Sequence, residues 1–403
     1  MMSLKSKLSD VCVGGGSYGI AASAVPFSED LPTYLRISDI NDDGTLDING
    51  LKSVDDSKSH KYRLMPNDIV FARTGASTGR NYFYDGTDGK FVYAGFLIKF
   101  SIDPKKANPR FIKYYCQSKE YRDWVNSFNA GSTRGNMNAI TLGNMPIPNI
   151  SRGQQDLLVD TLNAIDVRIA ENKKINHHLE QMAQAIFKSW FVDFEPFSGE
   201  QPASWSIGKA EDFFDIAIGK TPPRKEPQWF TTDSQDVTWV SISDMGSCGM
   251  FISDSSEYLT AESVGRFNVK VVPRGTVLLS FKLTVGRVTI ADGEMATNEA
   301  IAHFKQSSEK TLEYLYCYLK AFDYQTLGST SSIATAVNSK TIKAMPFIMP
   351  DDRVLEDFHA ASAPLFEQIR ANLQENARLA TLRDALLPRL MSGEISVAEV
   401  TAK

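Results

Sequence analysis

The sequence predicts an α+β protein in which two modules of strands and short helices are joined by two long helices that pair with each other. Three observations carry this: a heptad-spaced helix in mid-chain, a second copy of it near the end, and the same order of strands, turns and loops ahead of each copy. In the first copy Leu158, Leu162, Ile165, Ile169, Asn172, Asn176, Leu179, Ala183, Ile186 and Trp190 follow at alternating steps of four and three, with no Gly or Pro after Gly153. A helix of roughly 40 residues is about 60 Å long, more than the core of one domain needs.

In the second copy Phe358, Ser362, Leu365, Ile369, Asn372, Asn376, Leu379, Arg383, Leu386 and Leu390 hold the same register, within which Pro364 and Pro388 limit regularity. Ile169, Asn172, Asn176, Leu179 and Ala185 recur unchanged as Ile369, Asn372, Asn376, Leu379 and Ala385, and Met145-Pro146 and Met345-Pro346 precede the two copies. Two such helices bury each other's seams, and an Asn in a seam fixes register because a slipped pairing strands its amide. An antiparallel pairing is self-consistent: it sets Leu158 on Leu390, Leu162 on Leu386, Ile169 on Leu379, Asn172 near Asn376, Leu179 on Ile369 and Trp190 on Phe358. A parallel pairing also matches Asn to Asn, so the residues alone leave both directions open.

The elements divide the chain into a first module (1–150), a first long helix (151–190), a linker (191–207), a second module (208–350), a second long helix (351–395) and a tail (396–403). In the first module the run Gly14-Gly15-Gly16-Ser17-Tyr18-Gly19 reads as a loop, residues 34–40 as a strand by their alternation, and residues 69–73 as another, entered through the Pro66 turn. A Gly-punctuated turn, residues 74–80, follows, then a further strand, an aromatic helix over 111–128, and a small polar loop over 130–138. The second module repeats the order. Residues 239–245 answer the first strand, 272–280 the second, Gly286-Arg287 answers Gly79-Arg80, residues 311–322 answer the aromatic helix, and 328–332 answer the polar loop. Phe191 to Phe197 and the Gly/Ser/Pro-containing run behind them form the expected linker.

At 403 residues, 42% apolar and 23% charged, the chain has the length for two or three domains and an ordinary globular composition. No stretch approaches the ~18 continuous apolar residues of a membrane span, and the start lacks the apolar region of a secretory signal, so a cytoplasmic protein without membrane contact is expected. Cys12, Cys116, Cys248 and Cys317 have no CxxC spacing and are expected to be buried thiols rather than disulfides or metal ligands. A net charge of -5 speaks against nonspecific nucleic-acid binding, although a local basic face suffices for DNA contact.

Several fragments imitate enzyme motifs and fail on spacing. Gly219-Lys220-Thr221 is like the end of a P-loop, but Phe214 stands where the first glycine is required. Asn108-Pro109-Arg110-Phe111 is like a methyltransferase turn, yet reads better as a helix start capped by Asn108. His177-His178 lies mostly off the seam, and no catalytic constellation recurs in both modules, so no cofactor, metal or catalytic residue is assigned to this chain.

The polar loops carry the functional reading because the same type occurs twice at matching places. Candidate DNA contacts are Arg73, Thr74, Ser77, Arg80, Ser132, Thr133, Arg134 and Asn136 in the first module, and Lys220, Thr221, Arg224, Lys282, Thr284, Arg287, Ser329, Thr330 and Ser331 in the second. Arg can bridge guanine O6 and N7, Asn can pair with adenine, and hydroxyls and free backbone N–H groups suit phosphates. Two such readers on a rigid spacer would read a sequence in two parts.

Over nearly its whole length the chain resembles the specificity subunits of type I restriction-modification systems. The resemblance rests on Ile37-Ser38-Asp39 and Ile242-Ser243-Asp244, on the Pro-turn-strand-Gly-Arg units over 66–80 and 273–287, and on residues 297–302, 185–194 and 386–395. It implies two mixed-β target recognition domains joined by two antiparallel coiled-coil helices in a pseudo-twofold arrangement. It further implies a split double-stranded DNA target, DNA methyltransferase subunits, two of them expected, docked on the helices, and a restriction/translocase subunit. S-adenosylmethionine, ATP and Mg would sit in those partners only. Lys282 and Thr284 stand where the first module has Gly75 and Ser77, and Asn298-Glu299 where it has Ala94-Gly95, so contacts need not be shared between halves. The rivals are the specificity subunit of a type II-like restriction-methylation enzyme and a coiled-coil adaptor that binds protein.

Overall fold

The structure, a computed structural model, describes residues 6–129, 136–306, 308–327 and 337–392. Two compact units emerge, one built from residues up to Val167 together with those from Leu379 on, the other from Arg168–Arg378. The two units share one plan.

In the first unit the strand Asp68–Ala72 is buried at every residue, which is why residues 69–72 are a continuous apolar run rather than an alternation, while Asp68 at its start is paired with Lys99. It pairs antiparallel with Leu97–Ser101 on one side and Asn81–Tyr84 on the other, and Ser17–Tyr18 completes the sheet beyond Leu97–Ser101. A second sheet runs in the order Ala24–Val25, Lys52–Val54, Thr33–Leu35, Phe91–Tyr93, its last pair parallel. Leu35, Val70, Tyr82, Phe91 and Leu97 join the two sheets in one core.

The second unit repeats this strand for strand. Asp215–Ile218, Ile301–Lys305, Val277–Ser280 and Val288–Ala291 keep the order of the first sheet, with Phe251–Ile252 added as a parallel edge. Phe230–Thr231, Tyr258–Leu259, Val237–Val240 and Ala296–Thr297 repeat the second sheet, its last pair again parallel. A two-stranded ribbon closes each unit, Ser6–Lys7 on Pro146–Ile147 and Ser206–Lys209 on Pro346–Met349. Three of the four larger sheets are mixed, the one around Asp68–Ala72 being antiparallel throughout, and the duplication is structural.

Three expectations change. The Ile-Ser-Asp segments are not strands: the strands end at Leu35 and Val240, and Ile37–Asp39 and Ile242–Ser247 are helical turns. The cause is a carboxylate that folds back, since Asp39 accepts the Arg36 backbone N–H at 2.8 Å and Asp244 accepts that of Ser241 at 2.8 Å. This capping geometry overrides the apolar alternation. The aromatic helix over 111–128 is two helices, Pro109–Tyr115 and Lys119–Asn129, because the Asn81 amide takes the Cys116 carbonyl at 3.2 Å and the Ser118 hydroxyl starts a new helix by accepting the Tyr121 N–H at 3.2 Å. The segment read as a linker belongs to a core. Phe191 and Trp205 are buried in the second unit, and Phe194 and Phe197 pack on Trp205 with ring centres 5.9 and 5.3 Å away.

The long helices are Arg152–Phe191 and Asp352–Ser392, the latter unbroken through Pro364 and Pro388. Within the second unit Asn172 Nδ2 donates to Asn376 Oδ1 at 2.9 Å, Asn372 Nδ2 donates to Asn176 Oδ1 at 2.8 Å, and the Trp190 and Phe358 rings lie 5.9 Å apart. Rising numbers on one helix meet falling numbers on the other, so the pairing is antiparallel. Ile169 and Ile369 are buried, Leu179 half-buried. In the first unit Leu158, Leu162, Leu386 and Leu390 are buried, Leu379 is half-buried, and Arg383 donates to Asp166 at 3.2 Å. The first helix also has a second apolar edge that the heptad omits: Phe187 and Phe191 leave the seam and pack against Tyr314 at 5.7 and 4.7 Å.

Candidate nucleic-acid interface

In the first unit Arg73 leaves the end of the Asp68–Ala72 strand with its main chain held at both sides, its N–H donating to Phe96 O at 3.1 Å and its carbonyl accepting Met137 N–H at 2.8 Å. Thr74 pairs with Asn136 as an isolated antiparallel bridge, which ties Asn136 to the strand end. The Arg73 guanidinium sits 5.1 Å from the centre of the Tyr18 ring, and its Nη2 lies 3.5 Å from Asn136 Oδ1. Its Nε is buried with no hydrogen-bond partner among the described residues. Tyr18 is in turn fixed by the Ala139 N–H, donated to its hydroxyl at 3.2 Å. The result is a guanidinium clamped by an aromatic face with donors unspent. Phe96, 61% exposed, adjoins it. Ser77 lies one turn away in Gly75–Ser77.

Arg80 is occupied elsewhere. It donates to Asp42 at 2.6 and 3.2 Å and to the Ile40 carbonyl at 3.2 Å. Arg287 in the second unit donates to the Ile242 carbonyl at 2.6 Å, and its guanidinium lies so close to Gly246 that an added Cβ would meet it at 2.3 Å. The repeated Gly-Arg pair is therefore a brace from the hairpin to the Ile-Ser-Asp turn in both units.

Around the second unit's matching loops, Thr221 donates its hydroxyl to the Glu299 carboxylate. Burial alone would raise the Glu299 pKa, yet the Thr221 hydroxyl, the backbone N–H, Lys282 and Arg224 together hold it below the usual carboxylate range. Lys282 is exposed, its ammonium 5.6 Å from the centre of the Phe281 ring. Lys220 reaches the Phe267 carbonyl at 2.6 Å. Arg224 is committed twice, to Glu257 through two bonds of 2.9 and 2.8 Å and against the Phe230 and Trp239 rings at 4.1 and 4.6 Å. Thr284 contributes its carbonyl, which accepts the Ser280 hydroxyl at 2.5 Å.

The resemblance of Gly219-Lys220-Thr221 to a P-loop has a packing explanation. An added Cβ at Gly219 would fall 2.1 Å from Thr297 Oγ1 and 2.2 Å from Asn298 O. Gly19 makes the same approach in the first unit, 2.2 Å from Ala94 O, and both donate across to the neighbouring strand, Gly19 to Leu97 and Gly219 to Ile301. These glycines exist to let two backbones touch.

Thus the structure joins Arg73, Thr74 and Asn136 in one cluster and Thr221 and Lys282 in another, and gives Arg80, Arg224 and Arg287 internal partners. Ser132, Thr133, Arg134, Ser329, Thr330 and Ser331 lie outside the described residues. Sequence reasoning missed Tyr18, Phe96 and Glu299. Tyr18 could have been found as the lone aromatic in a glycine run; Phe96 and Glu299 leave no such mark. A cavity of about 710 Å³ in the second unit is lined by polar and apolar groups alike; Glu313 there pairs with His359, and Arg274 and Arg370 pair with Asp292.

Residues 5–181 and 202–354 each match the family described as type I restriction modification DNA specificity domain. The chain is 25% identical to the type I restriction enzyme HindI specificity subunit of Haemophilus influenzae, over 83% of this chain and 88% of that one. It is 26% identical to the type I restriction enzyme MjaIX specificity subunit of Methanocaldococcus jannaschii, over 72% and 70% respectively. Its fold is similar to that of the type I restriction-modification system S subunit from M. genitalium, with a TM-score of 0.53 at 14% identity over 96% of this chain and 95% of that one. Two matched spans that coincide with two structural repeats leave one conclusion: the chain belongs to the type I restriction-modification DNA specificity family.

Proposed function

We propose that this chain is the sequence-reading, non-catalytic subunit of a type I restriction-modification complex, with modules 1–150 and 208–350 each reading one half of an asymmetric split DNA target. The observation that carries the reading is the coincidence of the family's two matched spans with two copies of one strand plan, diverged where polar side chains gather. In the first half Arg73, Thr74, Asn136 and Ser77, with the loop of Ser132, Thr133 and Arg134, supply base and phosphate contacts; in the second half Lys220, Thr221, Lys282 and Thr284, with the loop of Ser329, Thr330 and Ser331, do so. Arg80 and Arg287 brace the hairpin turns against the Ile-Ser-Asp turns, and Arg224 is held by Glu257. Both long helices contribute to both units, and we assign them the spacing of the half-sites and the docking of methyltransferase subunits. Those partners, two methyltransferases and a restriction/translocase subunit, bring S-adenosylmethionine, ATP and Mg, and the protein works in the cytoplasm. Base-resolution mapping of modified adenines tests this in cells that express the chain with its neighbouring methyltransferase, against cells lacking only this chain. Loss of methylation at one split motif is expected, and identical maps would sink the reading.

A further inference from the structure

The most exposed large apolar side chain described is Leu283, at 97%, and it stands in the left-handed region at φ 60. Glycine or asparagine would adopt that backbone more cheaply. Nothing inside the unit repays the leucine, since its side chain buries nothing.

The loop that presents it is nonetheless built. Ser280, itself buried, donates its hydroxyl to Thr284 O at 2.5 Å and accepts the Arg287 N–H at 3.0 Å. Gly286 N–H donates to Ser280 O at 2.9 Å, and Phe281 N–H donates to Ala300 O at 2.9 Å. The base is thereby fixed from four directions while Lys282, Leu283, Thr284 and Val285 are exposed. The exposed Lys282 directly precedes Leu283, and the bond from Phe281 to Ala300 sets the loop base next to Glu299, so the apolar tip has charged groups at its base. Such a tip is too small and too isolated for a docking face between proteins, but it has the form of a side chain that enters a base stack while its neighbours hold phosphates.

We propose that Leu283 is a wedge that intrudes into the base stack of the half-site read by residues 208–350 and unstacks one step, a second source of specificity beside base-edge contacts. The inference rests on the DNA-reading role above. Steps that unstack easily, pyrimidine followed by purine, are expected at that place in the target. The first module has Gly75, Ala76 and Ser77 at the matching turn and so has no wedge there.

The test uses the complex of this chain with its methyltransferase subunits, bound to its mapped target and to an unrelated duplex. With Leu283→Ala we expect about tenfold weaker binding to the target, unchanged binding to the unrelated duplex, and loss of permanganate-reactive thymines in that half-site. A mismatch placed at the step restores the lost affinity, and Leu283→Met behaves as wild type. The alanine variant keeps its Cβ and loses no contact, so its thermal midpoint is unchanged. If wild type binds its target and Leu283→Ala matches it in affinity and reactivity, the wedge is overturned while DNA reading stands. A loss that the mismatch does not restore, or a loss of subunit assembly instead of DNA binding, overturns it as well. If wild type does not distinguish the two duplexes, the reading beneath it has failed.

Discussion

Arg73 and Arg287 look alike in the sequence, each beside a strand and a glycine-bearing turn, and the structure gives them opposite surroundings. Arg73 has one weak polar contact at 3.5 Å and an unspent Nε, so Arg73→Ala is expected to leave the thermal midpoint unchanged while weakening binding to the target about 10- to 100-fold, the 1–3 kcal/mol of a base contact. Arg287→Ala removes the donor to Ile242 O and opens space at Gly246, so it is expected to cost about 1–3 kcal/mol in urea unfolding. Equal effects of the two on stability would refute the division. His303 supplies a pH dependence. It is fully buried, its Nε2 lies 2.7 Å from Thr297 Oγ1, and the threonine hydroxyl donates to Asn298 O, so Nε2 carries a proton while Nδ1 is buried with no partner among the described residues. Burial, helped by Lys305, pushes its pKa down to about 4 from 6.5. The unfolded chain therefore takes up a proton that the folded one refuses. Stability from this group is complete above pH 6.5 and is lost as pH falls toward 4, by at most about 3 kcal/mol. His303→Gln should flatten that part of the pH profile of the urea midpoint. None of this was legible in the letters, because a histidine on a buried strand and an arginine turned inward are decided by neighbours far along the chain.

At the scale of elements, the heptad was legible and the side chains facing outward from it were not. The 4-3 pattern located both helices and their shared Asn layers, since seam positions repeat whatever the surroundings. It missed Phe187 and Phe191, whose edge packs on Tyr314 of the second unit's core as well as on Phe358 of the other long helix, and it ran the aromatic helix through Cys116, where Asn81 intercepts a carbonyl. The Asn layers carry a prediction about pairs. Asn172 and Asn376 share one hydrogen bond, and Asn172 also donates to Glu375 at 2.7 Å. Asn172→Leu alone strands the buried Asn376 acceptor, while Glu375 keeps the Arg168 guanidinium at 3.1 and 3.0 Å, and is expected to cost about 1–3 kcal/mol. The double change Asn172→Leu with Asn376→Leu removes both amides of the pair and is expected to recover most of that loss while relaxing register. Urea midpoints of the two variants check the energy. Methylation of targets with altered gaps checks the spacer role, and an unchanged gap preference in the double variant would count against the helices as the ruler.

At the scale of the molecule, duplication makes the two halves separable in a way that a single domain is not. Each unit has its own two sheets, its own closing ribbon and its own glycine contact, Gly19 on Ala94 or Gly219 on Thr297 and Asn298. A Cβ at either glycine meets backbone atoms near 2.2 Å, so Gly19→Ala and Gly219→Ala should each cost about 3 kcal/mol. The two damages should differ in what they abolish. If each unit reads its own half-site, Gly219→Ala relaxes recognition only at the half-site of the second module, and Gly19→Ala only at that of the first. Replacing residues 208–350 by the corresponding module of another member of the family should then change one half of the methylated motif and leave the other half as it was. The ribbon Ser206–Lys209 on Pro346–Met349 closes both ends of that module at one place, and in the exchange the pairs of Ser206 with position 349 and Ile207 with position 348 join the retained chain to the new module by main-chain pairing. A motif altered in both halves by the exchange would mean that the two readers are coupled, and that the repeat in the sequence is not a repeat in function.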